Sequence, residues 1–376
     1  MALHGLQRTL DSLGGQPLST ILTNTTASFT TAKETKLSGI DTAANANPQF
    51  SIVGTTSTRA GLDAGRVATG SSWTATGMQA GYSSTTGINW TATGTNAGYH
   101  NTTGSSWTAT GAYAGQNNTT GINWTATGGN AGYSNTTGSN WTATGTNAGY
   151  YNTTGINWTA TGTYAGQNNT IGSNWTATGV NAGYYNTTGT NWVATGMQAG
   201  YYNTTGTNWT ATGTYAGYSN TTGNGWTATG SYAGYSNTTG SNWVATGGSA
   251  GFFNTTGSYW TATGGNAGCY LLDGTTGATV YESCVYVGYN TKVSSNTAGL
   301  TNENVFGHLA EGKGQNTVSI GKAVTHVYIN GSPVTPTKTP ASATSTGVAG
   351  EMAWDASYVY VCISTDVWKR SPLTTW

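Results

Sequence analysis

The chain has 376 residues, of which only 6% are charged, and its formal net charge is zero. Soluble domains usually carry about 25% charged residues, while an aromatic content of 11% argues against a disordered chain. Without a basic surface that neutralises phosphates, we expect no binding of nucleic acid. No apolar run is long enough to cross a bilayer, so we expect no membrane insertion.

Charged residues are absent from a long central span. Residues 67–272, a span of 206, contain no Lys, Arg, Asp or Glu. Acid–base catalysis and metal binding draw mostly on such groups, so we predict no enzyme activity, no catalytic or metal-binding residue and no cofactor. Cys269, Cys284 and Cys362 lack CxxC spacing and predict reduced, partly buried thiols. The N-terminus shows no apolar segment of the secretory type, which predicts a chain without a signal peptide.

The chain begins with a segment that lacks the repeat found further on. Residues 1–47 carry six charged residues, and we predict in them a short helix that is capped near Thr30 or Thr31 and ended by Gly39. This segment is interpreted as an attachment or trimerisation element. Residues 48–72 are rich in Gly and Thr and predict a transition coil, in the manner of an atypical terminal repeat.

Residues 73–276 are twelve repeats of 17 residues, with the unit W-T-A-T-G-x-x-A-G-Y-x-N-T-T-G-x-N. A fixed period without insertions is typical of stacked coils, each in contact with its neighbours. The tryptophans of the predicted structural ladder are Trp73, Trp90, Trp107, Trp124, Trp141, Trp158, Trp175, Trp192, Trp209, Trp226, Trp243 and Trp260.

The composition of each unit favours strands over helices. WTAT is predicted as one strand, AGYY as a second, and NTTGxN as a turn that uses glycine. The predicted fold is an all-β parallel β-roll or β-solenoid, in which twelve coils rise about 58 Å. Because side chains alternate along a strand, Trp and Ala share one face of WTAT and the two Thr share the other.

A coil of 17 residues encloses too little volume to hide both faces of WTAT. The sequence leaves open which face of WTAT is internal, and whether the Trp ladder faces a seam between chains or solvent. It also leaves open whether the Tyr column stacks inside or lines the surface. An exposed Trp row would be a large apolar patch, so we predict that several chains pack side by side as a homotrimer, with one ladder in the seam.

The chain continues beyond the repeats in three parts. Residues 277–331 are predicted to be variant closing coils that end in an apolar cap of Val305, Phe306, Val318 and Ile320. The acidic residues predicted to be solvated are Asp273, Glu303 and Glu311. Residues 332–340 are a Pro/Thr linker. Residues 341–376 predict a small antiparallel module of three strands. Its aromatic and cationic side chains, which form either a small core or a receptor-facing tip, are Trp354, Tyr358, Tyr360, Trp368, Lys369, Arg370 and Trp376.

The repeat resembles N-T-A-V-G-x-x-A-x-x-x-N-T-T-G-x-N, which belongs to the left-handed β-roll of trimeric adhesin heads of the YadA-like kind and of many phage tail fibres. Here Trp replaces the first Asn, and Thr replaces the Val. Residues 31–41, TAKETKLSGID, are similar to a junction common in tail-fibre proteins, and residues 340–376 resemble a β-module that ends many phage structural proteins.

The resemblance implies a virion fibre that is assembled in the host cytoplasm, from a phage tail or capsid. It implies a homotrimeric shaft that binds virion structural proteins through its N-terminal end. Its C-terminal tip would attach to a glycan or protein of the host surface. Two alternatives remain: an ice-binding solenoid with a Thr-x-Thr ladder, and a bacterial trimeric surface adhesin.

Overall fold

A computed structural model describes residues 50–53, 57–296, 299–322, 340–347 and 349–374. The predicted helix, the junction motif, most of the linker and Trp376 lie outside these residues. The described residues fall into two compact units, divided between Lys322 and Ala323. They contain no helix that could span a membrane.

The first unit is a parallel β-solenoid, as predicted, with one short strand per coil. In the repeats each strand pairs in register with the strand one coil further on, so that Trp141 lies beside Trp158. β1 pairs antiparallel with β2, and the later neighbours pair in parallel. The strands are β1 (Phe50–Val53), β2 (Ser57–Ala60), β3 (Trp73–Thr76), β4 (Trp90–Thr93), β5 (Trp107–Thr110), β6 (Trp124–Thr127), β7 (Trp141–Thr144), β8 (Trp158–Thr161), β9 (Trp175–Thr178), β10 (Trp192–Thr195), β11 (Trp209–Thr212), β12 (Thr227–Thr229), β13 (Val244–Thr246), β14 (Thr261–Thr263), β15 (Val285–Val287), β16 (Glu303–Phe306) and β17 (Thr317–Ile320).

The predicted second strand, AGYY, is wrong, because this part of each coil is a series of turns. In the fifth repeat Asn147 has φ 56° and Gly149 has φ 58°, both left-handed. Two left-handed residues this close together turn the chain and prevent an extended strand. The turns still bond to the next coil, since the Gly149 amide donates to the Ala165 carbonyl at 2.9 Å.

The interior of the coils consists of four columns of side chains. Trp and Ala point inward from the strand, and a second Ala and an Asn point inward from the turns. In the fifth repeat these are Trp141, Ala143, Ala148 and Asn152, all buried. A large ring beside two small side chains suits the close packing that a narrow coil requires.

The last coils change this interior. Tyr281, Cys284, Tyr286 and Glu303 are buried below the last Trp. The predicted apolar cap is confirmed only in part, because Val305 is buried, whereas the other three residues proposed for it are at least 38% exposed. Those three are Phe306, Val318 and Ile320.

The second unit contains a small antiparallel sheet, as predicted. Its strands are β18 (Met352–Trp354), β19 (Tyr358–Ser364) and β20 (Val367–Pro372), in the order β18-β19-β20. Asp355 forms the first turn, where one carboxylate oxygen accepts the amides of Ser357 and Tyr358 at 2.7 and 2.8 Å. Such a bond pattern is typical of Asp in tight turns.

Candidate functional site

The Trp ladder lies inside the single chain, so it is neither a seam nor a solvent-facing row. All twelve rings are at most 2% exposed. Consecutive rings stack at centroid distances of 4.8–5.0 Å, which is the spacing of neighbouring strands. The Trp141 indole also donates to the Gly138 carbonyl at 3.1 Å. The ladder is therefore the structural core of the solenoid.

The Thr face of the strands lies outward. In the fifth repeat Thr142 is half-buried and Thr144 is exposed. Val193 and Val244 take the place of the first Thr in two repeats and are each 39% exposed. Since the strands are parallel and in register, the outer face of the sheet carries two straight columns of Thr methyl and hydroxyl groups without charge.

The Tyr column lies at the surface of the turns, where its rings are half-buried and stacked. Tyr133 and Tyr150 stack at 4.8 Å, and Tyr184 and Tyr201 at 5.1 Å. Burial among neighbouring rings raises the pKa of Tyr150, Tyr184 and Tyr201. These phenols therefore stay uncharged at neutral pH.

Glu303 is a buried carboxylate in the closing coils, and the expectation that it is solvated is wrong. Its oxygens accept hydrogen bonds from the Tyr286 hydroxyl at 2.8 Å, the Gly314 amide at 2.7 Å and the Ser294 amide at 3.2 Å. Burial, followed by the neighbouring Cys284 and Glu303, raises the pKa of Tyr286 well above its usual value. The Tyr286 hydroxyl therefore keeps its proton at neutral pH and donates a hydrogen bond to Glu303.

The remaining acidic residues of these coils lie nearer the surface. Glu311 pairs with Lys322 at 2.8 Å, and this hydrogen bond lowers the pKa of Glu311. Asp273 is exposed and caps a turn, where bonds from Thr276 and Thr275 lower its pKa to about 2. Among the described residues no group of three or more His, Cys, Asp or Glu could hold a metal ion.

Cys269, Cys284 and Cys362 are free, and they are fully buried rather than partly buried as expected. Burial raises the pKa of Cys269 to about 11. Burial also raises the pKa of Cys284. Nucleophilic cysteines need a low pKa and access to solvent, so these two thiols act as small apolar core residues.

The predicted tip residues divide between the core and the surface of the second unit. Tyr360 and Trp368 form its core with Cys362. Lys369 and Arg370 are exposed. Trp354 and Tyr358 are half-buried.

One face of β19 and β20 combines aromatic rings with the cation of Arg370, while Lys369 lies on the opposite face. The Arg370 guanidinium lies 4.4 Å from the centroid of the Tyr358 ring, a cation–π distance. The Tyr360 hydroxyl donates to Asp355 at 2.7 Å. This bond, together with the Ser357 amide, lowers the pKa of Asp355. The face therefore carries a fixed carboxylate beside a guanidinium that is held on an aromatic ring.

A cavity of about 310 Å³ opens next to this face. Its lining consists of residues 340–343 together with Tyr360, Trp368, Lys369 and Arg370. The segment 340–343 is fixed along β20, because the Trp368 amide donates to the Ala343 carbonyl at 2.8 Å. The lining includes two aromatic residues, Ser342 and two basic residues from opposite faces of β20, which suits a polar ligand such as a sugar. Sequence reasoning found the four side chains of β19 and β20 but not the segment opposite them, whose position depends on the fold.

Comparison with known proteins gives one short match. The chain is 46% identical, over 37 residues, to a protein described as "Depolymerase, capsule K30/K69-specific" from Klebsiella phage K64-1. These residues are 10% of this chain and 5% of the relative. No family model and no solved structure matches the chain. The name of the relative is that of an enzyme, so this match overturns the expectation that the chain has no enzyme activity.

Proposed function

We propose that this protein is a bacteriophage virion fibre, in which a homotrimeric solenoid shaft is attached through residues 1–47 to virion structural proteins. Its C-terminal module contacts a glycan or protein of the host surface. The observation that carries the proposal is an uncharged solenoid of uniform coils in a chain that shares a segment with a phage protein.

The outer Thr face supports the trimer. It is the same in every repeat apart from the two Val substitutions, so each coil would meet an equivalent coil in a neighbouring chain. Symmetric assemblies use such self-similar surfaces, and the centres of interfaces are poor in charge. The Trp ladder does not support the trimer, because its rings are already buried within one chain.

The module supports attachment through the cavity beside β20. Lys369 and Arg370 line it together with two aromatic residues. Cations and ring edges in one concave site are suited to acidic or neutral sugars. The relative is named for the capsule on which it acts, and a host-surface polysaccharide is accordingly the ligand that we propose.

Deletion of residues 341–376 in the phage tests this function. We expect host adsorption to be lost while the shaft still assembles, because the two units are separate. A full-length variant, Lys369→Ala with Arg370→Ala, tests the cavity alone, and we expect it to adsorb to the host more weakly. Adsorption that survives the deletion would show that the module is not the attachment site. The release of reducing ends from the host polysaccharide is measured in parallel and shows whether the protein cleaves it.

Ice binding is a second candidate, favoured by the outward Thr columns. Thr142 and Thr144 repeat in register along a parallel sheet, and a single chain can display them because Trp is internal. A regular, uncharged hydroxyl and methyl array is what this role requires. Thermal hysteresis of the purified protein decides it, since a value of zero at high concentration removes this candidate.

A further inference from the structure

Tyrosines concentrate in one part of the solenoid. The four repeats of residues 175–242 contain eight, whereas the six repeats of residues 73–174 contain seven. The eight, which we call the tyrosine patch, are Tyr184, Tyr185, Tyr201, Tyr202, Tyr215, Tyr218, Tyr232 and Tyr235.

The patch consists of three columns that contact one another. The first column stacks along the coils, with Tyr201 and Tyr218 at 5.2 Å. The second lies edge-on against it, since Tyr185 is 5.2 Å from Tyr201 at an interplanar angle of 88°. The third column also contacts the first, with the Tyr215 ring at 5.5 Å from the Tyr218 ring. The rings thus form one continuous surface over four coils.

This surface is accessible and uncharged. Tyr185, Tyr202 and Tyr232 are 39%, 41% and 38% exposed. Burial raises the pKa of Tyr218 and Tyr235, and no charged residue lies in residues 67–272. A ligand here would be held by ring contacts and by phenol hydroxyl groups, without an ion pair.

The spacing of the patch fits a polymer. Equivalent rings recur at 5.0–5.4 Å along the coils, so the hydroxyl groups form rows with a short, constant repeat. A chain of sugar rings offers hydroxyl groups and apolar ring faces at a constant repeat as well. A compact ligand would use only one or two of the four coils.

The variability of the patch argues against a seam between chains. A seam of identical coils is expected to be uniform, as the Thr face is. At the second-column position other repeats carry Ser83, Ser134 or Asn168, and at the third-column position they carry Asn147 or Gln198. The clustering of Tyr at these tolerant positions indicates a local binding surface.

We propose that the tyrosine patch binds a neutral polysaccharide chain that lies along the solenoid, as a second glycan site besides the cavity of the C-terminal module. This inference goes beyond the proposed attachment by the module and does not depend on it.

The test uses the full-length protein, titrated by calorimetry with soluble mannan, dextran and galactan. The patch variant combines Tyr185→Ser, Tyr202→Ser, Tyr215→Asn and Tyr232→Asn, each a residue that other repeats carry at the same position. The control variant combines Tyr113→Asn and Tyr151→Ser, which lie outside the patch and are 41% and 47% exposed. A third variant, Lys369→Ala with Arg370→Ala, removes the cations of the module.

We expect the wild type to bind at least one of these polysaccharides, and the patch variant to bind it at least about ten-fold more weakly. The control and module variants should bind as the wild type does. The proposal is overturned if none of the polysaccharides binds or if the patch variant keeps full affinity. It is also overturned if the patch variant loses subunits, because the patch would then be a seam. If only the module variant loses binding, the polysaccharide binds at the C-terminal module and the proposal is wrong.

Discussion

Gly149 lies directly against the Trp ladder. A Cβ at this position would be 2.6 Å from the ring of Trp158, and the backbone has φ 58°. Both the contact and the left-handed conformation disfavour any side chain. We therefore expect Gly149→Ala to lower the free energy of unfolding by at least about 2 kcal/mol, measured by thermal or denaturant unfolding.

Gly129→Ala is the matched control. A Cβ there has no heavy atom within 4 Å, and another repeat carries Ala112 at the same position. This change should leave stability within about 0.5 kcal/mol. Equal effects of the two substitutions would contradict the packing of glycine against the Trp ring.

Asn135 belongs to the buried Asn column. It accepts from the Asn118 amide at 3.0 Å and donates to Asn152 at 3.3 Å. In Asn135→Asp a carboxylate would be buried without a cation, which raises its pKa in the folded state. We expect a loss of about 3 kcal/mol at pH 7.

The loss of stability in Asn135→Asp is expected to depend on pH. Well below pH about 4 the carboxyl is protonated in both states, so the charge penalty is absent. The penalty grows as the pH rises above the unfolded-state pKa and levels off above the raised pKa of the folded state. Denaturant unfolding at several pH values checks this. Asn135→Ser is the control, because the chain itself carries Ser84 at the same position of another repeat, and it should show no such dependence. A pH-independent loss in the Asp variant would mean that the site is open to water.

Single residues show where the sequence was sufficient and where it was not. Alternation along WTAT correctly placed Trp with Ala on one face, but which face is internal depends on the width of the closed coil. The burial of Glu303 was missed because its partners, Tyr286 and Gly314, come from other coils. A carboxylate that occupies the Trp position of the repeat was the available signal.

The coil is the unit at the scale of elements. Each repeat bonds to the next through its strand and its turns, as in the pairing of Trp141 with Trp158 and the Thr153 amide bond of 2.7 Å to Thr170. In a repeat protein, stability is close to a sum over such neighbours. If one whole repeat is removed, the repeats on either side of it should therefore stack on each other through equivalent contacts.

We expect deletion of residues 141–157 to give a folded solenoid with the β-sheet signal in circular dichroism retained and the unfolding midpoint only slightly lowered. Deletion of residues 141–148 removes part of a coil and should disrupt the fold, since every later Trp would leave its column. If both deletions fold equally well, the stacked register is wrong.

The sequence pattern predicted the strand of each coil correctly but not its turns. The period of 17 predicted a stacked coil, and WTAT predicted its strand. AGYY was misassigned because Tyr favours strands, while the left-handed Gly149 and Asn147 decide the backbone there. The Gly that every repeat carries at the position of Gly149 was the stronger signal.

At the scale of the whole molecule, the chain places its apolar rings inside and leaves two uncharged surfaces outside. The uniform Thr face fits a seam between chains, and the variable tyrosine patch fits a ligand. The sequence predicted the solenoid and the small antiparallel sheet, because both follow from local periodicity. It left the assembly open, because contacts between chains leave only indirect traces in a sequence.

Light scattering of the full-length protein gives its mass in solution and so decides whether the fibre is a trimer. A trimer has a mass near three times 38.5 kDa, and we expect this mass to be unchanged by salt because the proposed seam carries no charge. A mass of 38.5 kDa for a stable, folded protein would contradict the trimer, leave the Thr face in water and favour the ice-binding solenoid.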